Sequence, residues 1–155
     1  MKINYDGATF KEQNKSGVGV VIRDGNGLVL ASLAKQIPQL YTALEVEAMA
    51  AATTLSFATQ LGFHRGILES DSLVLVSAMI KNSTYLSTDG LLLDDIRFYT
   101  SFFNQLLYSH VKREGNKVAH RLAKHALCIS DFLVWMEDVP PPICSVVQDD
   151  MDGFH

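Results

Sequence analysis

Residues 17–33, GVGVVIRDGNGLVLASL, decide how the rest of the chain is read. Residues 17–23 are a β-branched run, Asp24-Gly25-Asn26-Gly27 is the strongest turn signal in the chain, and an apolar run resumes over residues 28–33. Two such runs about a DGNG tetrapeptide make a β-hairpin. Upstream, residues 2–6 read as a short strand ended by Gly7, so the chain opens with three antiparallel strands. Downstream the apolar period changes to that of a helix. Thr42-Ala-Leu-Glu45 has the capping-box form, and the Ala-rich stretch after it runs to Leu61 with Gly62 as its stop. Leu44, Ala48, Ala51, Ala52, Leu55 and Ala58 fall on one stripe of that helix.

Residues 66–69 read as a short buried strand. Asp71 or Ser72 starts a helix through Lys81, with Leu73, Val76 and Ile80 at helical spacing. Residues 82–90 are a polar loop, and residues 91–104 a helix with Leu92, Ile96 and Tyr99 inward. Residues 106–112 read as a fifth strand. Residues 116–127 close as a helix with Val118, Leu122 and Ala126 on its apolar face. This order predicts an α/β fold. Its sheet is mixed and five-stranded, three antiparallel strands then two parallel, and flanked by helices. Residues 1–130 form the domain. Residues 131–155 hold a Trp/Met patch, Pro140-Pro141-Pro142 and an acidic end, and read as a docked tail that becomes extended at the prolines.

A length of 155 residues suits one domain with its own core. With 48% apolar and 19% charged residues, a disordered chain is excluded. The longest nearly uncharged stretch, residues 46–63, contains Glu47 and is rich in Thr, Ser and Gln, so it reads as a soluble helix and not a membrane span. The N-terminus has no signal-peptide layout. Cys128 and Cys144 stand outside any CxxC pair, which favours reduced structural thiols in an intracellular protein, nuclear or cytoplasmic, over a zinc site. The net charge of −4 hides an asymmetry. From residue 131 onward there are six acids and no Lys or Arg, which leaves residues 1–130 at +2. Residues 110–125 are the most basic part, with Lys112, Arg113, Lys117, Arg121 and Lys124 against Glu114 alone. Such a cluster is either a solvated helix face or a phosphate-contacting edge.

Three acids sit where an ordinary acid is awkward. Asp6 ends the first strand, Glu47 lies between apolar neighbours early in the Ala-rich helix, and Asp71 sits at the junction of the fourth strand and its helix. Each has a plain structural explanation: Asp6 can serve a turn with Gly7, and Asp71 can cap a helix. Glu47 is the hardest to dismiss, because an unpaired buried carboxylate is costly. In a mixed sheet, two strand ends and an adjacent helix can converge. Three carboxylates that close repel one another unless a divalent cation binds them, and oxygen ligands suit Mg²⁺ or Mn²⁺. Two such ions about 4 Å apart serve phosphodiester cleavage.

The ordered motifs NYDGA (4–8), GVGVVIRD (17–24), EAMAA (47–51), LESDS (68–72), HVKREGNKVAHRLA (110–123) and VWMEDVP (134–140) cover nearly the whole chain. In this order they resemble the ribonuclease H family, most closely its plant retroelement-type, reverse-transcriptase-associated branch. The resemblance implies a metal-dependent endonuclease that cuts the RNA strand of RNA–DNA hybrids with two Mg²⁺ or Mn²⁺ ions. It assigns Asp6 as the bridging ligand, Glu47 and Asp71 as the other ligands of one metal, and Ser72 a place near the hybrid backbone. Asn116 is in place in the last helix, and the family's fourth acid, four residues on, falls on His120. Histidine is usual there in the plant branch. It exchanges an anionic ligand of a hard cation for a neutral imidazole, which weakens that ion and favours Mn²⁺ over Mg²⁺. An exposed residue on the face of Asn116 and Lys124 is the ordinary alternative. The mobile catalytic histidine of many members has no counterpart in residues 111–116, and His110 falls on the predicted strand. Loss of a proton shuttle reduces rate without abolishing it.

Two functions stay open. One is hydrolysis, with Asp6, Glu47 and Asp71 holding the metals and His120 as auxiliary ligand or base. Lys112, Arg113, Asn116, Lys117 and Arg121 then form the hybrid-binding edge, beside Ser72. The other is a retroelement-derived domain that binds nucleic acid or a protein and cuts poorly or not at all. A 3′-to-5′ exonuclease fits badly, because residue 8 is Ala where Asp-x-Glu is needed and residue 125 is His where an Asp is needed. With Met1 close to the first strand, no N-terminal hybrid-binding module is expected on that side. The expected partner is nucleic acid and not a membrane; a monomer is the working expectation, with oligomeric state open.

Overall fold

A computed structural model describes residues 1–81 and 90–137. The predicted loop 82–90, the side chain of Leu92, Cys144 and the tail beyond residue 137 lie outside the described part, apart from the backbone at Gly90 and Leu92. The chain opens with β1 (Lys2–Phe10), β2 (Lys15–Arg23) and β3 (Val29–Ile37). The Asp24 side chain shapes the second turn: its Oδ1 accepts the N–H of Asn26 at 2.8 Å and of Leu28 at 3.0 Å. Gly27 takes the left-handed conformation there, with φ of 84°. β1 runs on past Gly7 to Phe10, so Asp6 is mid-strand and not at a strand end.

Helix α1 (Ala43–Gln60) carries the expected capping box between Thr42 and Glu45, and Gly62 follows it at φ of 84°. Then come β4 (Arg65–Ser70), α2 (Leu73–Lys81), α3 (Gly90–Thr100) and β5 (Gln105–His110). A short 3-10 turn (Arg113–Asn116) leads into α4 (Lys117–His125). The inward face of α2 is Leu75, Val76 and Met79, and Leu73 and Ile80 are exposed. The spacing of Leu73, Val76 and Ile80 therefore misplaces the buried stripe by a residue or two in a helix that is apolar nearly all round.

The sheet has six strands in the order β5-β4-β1-β2-β3-β6, where the sequence predicts five. The addition is β6 (Phe132–Met136), which pairs antiparallel with β3 from Lys35↔Phe132 to Ala31↔Met136. The sequence reads these residues as the start of a docked tail; in the structure they are an edge strand of the sheet. The first three strands are antiparallel, and β4 and β5 are parallel to β1 and β4. Cys128 is exposed, not packed as a structural thiol.

Strand alternation divides the core. Val18, Val20 and Ile22 of β2 pack with Tyr5, Leu55 and Ala51 on the α1 side. Val21 joins Val118, Ala119, Leu122 and Ala126 on the α4 side. Gly17 and Gly19 give α4 its seat. A Cβ at Gly19 would run into the Ala119 carbonyl and the Ala123 nitrogen and come within 2.8 Å of the Leu122 Cβ. The helix thus lies directly on the strand, opposite Asp6 in the β1–β2 register.

Gly19→Ala is accordingly expected to cost about 1–3 kcal/mol in urea unfolding, because a helix backbone and not a flexible side chain must give way. Gly25→Ala, with nothing within 4 Å of the added carbon, is the control and is expected to stay within about 0.5 kcal/mol.

Candidate functional site

The β1–β4 register builds the site. Asn4 pairs with Glu69 in parallel, so continuing two residues along each chain brings Asp6 level with Asp71. Glu47 arrives from the first turns of α1, over Gly7. A Cβ on Gly7 would press on the Val46 side chain and stand 3.3 Å from Glu47 Oε1, so the glycine clears the approach. One carboxylate oxygen from each of Asp6, Glu47 and Asp71 lies within 4.8 Å of the others. Three acids that are 41 and 24 residues apart in sequence thus share one pocket.

The Gly7 N–H donates to both Asp6 Oδ1, at 2.9 Å, and Glu47 Oε1, at 3.0 Å. Glu47 Oε2 and Asp71 Oδ2 are buried and accept no hydrogen bond. Burial, and then the adjacent Asp6, push the Glu47 carboxyl from its ordinary 4.5 up to about 9, against the pull of the Gly7 N–H. Burial and Asp6 also raise Asp71, while the Arg113 guanidinium and His120 pull it down. Two buried carboxylate oxygens that accept no hydrogen bond, in a like-charged cluster, are what a hard divalent cation satisfies, and the all-oxygen donor set fits Mg²⁺ or Mn²⁺.

His120 stands beside the cluster as a partner of Asp6. Its Nδ1 lies 2.7 Å from Asp6 Oδ2, and since a carboxylate accepts, the ring nitrogen donates. That nitrogen faces Asp6 and is not free for a cation. Asn116, expected on the nucleic-acid edge, is buried. Its Nδ2 donates to the Tyr5 carbonyl at 2.9 Å, and its Oδ1 accepts from Asn4 Nδ2 at 3.1 Å. It pins the start of α4 onto β1 and cannot reach a phosphate. Lys112, Lys117 and Arg121 are exposed, with Lys117, Arg121 and Lys124 along the outer stripe of α4. Ser72 is half-buried beside Asp71, its N–H donating to Ser70 Oγ at 3.1 Å. Arg113 turns back, with Nε 3.5 Å from Asp71 Oδ2.

The roles of Gly7, Gly17, Gly19 and Asn4 were not assigned from sequence. The one available signal was a pair of glycines two apart within a strand run, where glycine is otherwise unfavourable.

A carboxyl raised on folding stabilises the fold at low pH, and that contribution fades as pH climbs from the ordinary 4.5 through about 9. The metal-free protein, held in EDTA, is expected to lose melting temperature between pH 6 and pH 9. Glu47→Gln should flatten that slope; an unaltered slope would assign the titration elsewhere.

Comparison with known proteins follows this geometry. A family model described as reverse transcriptase-like matches residues 4–126. No curated protein sequence matches the chain. The RNase H1 of the halophilic archaeon Halobacterium salinarum superposes with a TM-score of 0.75 at 25% identity, covering 82% of this chain and 96% of that one. The N-terminal RNase H domain of a Mycobacterium tuberculosis protein gives 0.73 at 26% identity, covering 82% and 92%. LC11-RNase H1, solved in complex with an RNA/DNA hybrid, gives 0.74 at 22% identity, covering 82% and 96%. On a match that spans all three acids and His120, the chain belongs to the reverse transcriptase-like family and has the ribonuclease H-like fold.

Proposed function

We propose that this protein is a ribonuclease H-type endonuclease that hydrolyses the RNA strand of RNA–DNA hybrids with two Mg²⁺ or Mn²⁺ ions. The observation that carries the reading is the convergence of Asp6, Glu47 and Asp71 within 4.8 Å, with two of their buried oxygens accepting no hydrogen bond. The RNase H activity named for two similar structures, and the RNA/DNA hybrid held by a third, agree with it. When bound, such ions lower the pKa of water and stabilise the leaving oxygen of an in-line displacement. Asp6, Glu47 and Asp71 hold them, and the Gly7 N–H fixes the facing oxygens of Asp6 and Glu47. His120 orients Asp6. Lys112, Arg113, Lys117 and Arg121 line the phosphate edge, with Ser72 near the backbone; the 2′-hydroxyls of the RNA are read across its shallow minor groove. The plant retroelement-type placement, and a monomer acting in the nucleus or cytoplasm, go with this proposal. Among the described residues no helix is long and apolar enough to cross a membrane.

A second reading, a domain that binds nucleic acid or a protein and cuts weakly or not at all, is favoured by one observation: a histidine, not an acid, at position 120, bonded to Asp6. Labelled RNA–DNA hybrid, single-stranded RNA and duplex DNA, each in Mg²⁺ and in Mn²⁺, separate the two. Hybrid-specific cleavage that Asp71→Asn abolishes supports the enzyme, whereas binding without cleavage in either metal supports the binding domain.

Two further outcomes are expected. His120→Asp restores an anion and should raise Mg²⁺-dependent cleavage; a neutral or harmful effect would mean the imidazole is no deficiency. Hybrid affinity should fall steeply with salt, with a log–log slope near −0.9 for each phosphate neutralised, and a flat isotherm would remove the basic edge.

A further inference from the structure

Arg113 opens the short turn between β5 and α4, and its side chain is 73% exposed. Water is available to it on nearly every side. Its Nε nevertheless lies 3.5 Å from Asp71 Oδ2, on a side chain only 11% exposed. That oxygen accepts no hydrogen bond. The contact is single and long, without the paired short bonds of a bidentate fork, so it is easily exchanged. The backbone behind it is held: the turn ends at Asn116, which is locked to Tyr5 and Asn4, and the Gly115 N–H donates to the Lys112 carbonyl at 2.9 Å. Exchange thus needs only side-chain rotation.

We propose that Arg113 is the counter-cation of the metal-free pocket and that it trades places with a divalent ion at Asp71. Before an ion binds, the guanidinium offsets part of the repulsion among the three acids. When an ion takes Asp71, the guanidinium is released at the mouth of the same pocket, with its planar set of donors available to a substrate phosphate. Metal loading and phosphate capture are then linked through one side chain. Lys112, Lys117 and Arg121 are exposed too, but none has an ion pair with the cluster among the described residues. The phosphate half of this inference rests on the nuclease reading, and the metal half does not.

The test uses the full chain and the variants Arg113→Ala and Arg113→Lys. In Mn²⁺ titrations by calorimetry without nucleic acid, Arg113→Ala should bind the ion about two- to fivefold tighter, the size of one partly exposed ion pair removed as a competitor. Arg113→Lys should fall between it and the wild type. With Ca²⁺ present, Arg113→Ala should bind hybrid several-fold more weakly and lose about one unit of salt slope. In EDTA it should bind hybrid like the wild type, because there the guanidinium is held on Asp71. Unchanged or weaker Mn²⁺ binding by Arg113→Ala overturns the proposal, as does an equal loss of hybrid affinity with and without the ion. Failure of the nuclease reading looks different: the wild type then does not cut hybrid in either metal, whether or not it binds it, and the Mn²⁺ titration still decides whether Arg113 is the competitor.

Discussion

Mutual repulsion among Asp6, Glu47 and Asp71 is the constraint around which this molecule is arranged. Their oxygens meet within 4.8 Å in a setting that shuts out much of the water that would screen them. Nothing in a free chain would hold three acids so close. They are held by elements committed to the core: Asp6 by a strand whose neighbours Tyr5 and Ile3 are fully buried, and Glu47 by a helix whose Val46 and Ala48 are nearly so. The core therefore bears the electrostatic cost, and the pocket retains unmet charge for a ligand to satisfy.

The surroundings relieve part of that charge, each in a different way. Burial and the adjacent Asp6 push the Glu47 carboxyl up, the Gly7 N–H serves two carboxylates at once, His120 donates to Asp6, and Arg113 leans on Asp71. Two of these four depend on how close α4 and the turn before it come to the sheet. That approach is set by what is missing from Gly17 and Gly19 and by what Asn116 grips. A residue with no side chain and a buried amide thus position the helix that carries His120.

Much of the fold could be read along the chain because its signals are local. The DGNG turn, the capping box at Thr42 and the stop at Gly62 each act through bonds a few residues apart, and each is where the sequence placed it. The extension of β1 past Gly7 was not legible, because strand length depends on the partner, and β2 supplies pairing as far as Phe10↔Lys15. Nor was β6: an apolar pentapeptide joins a sheet or stays a tail according to whether an edge is open to it, and the edge of β3 was. In α2 the buried stripe was misjudged because Leu and Val on every side leave periodicity little contrast.

The sequence was enough for the order of elements through α4, since turn chemistry, helix caps and hydrophobic period are short-range properties of the residues that carry them, and it marked the three acids as candidates. Tertiary structure alone decided that Asn116 faces inward, that His120 spends its Nδ1 on Asp6 and that Arg113 reaches Asp71. These contacts join residues 42 to 114 positions apart. Their geometry follows from how a helix settles on a strand, which no local pattern records.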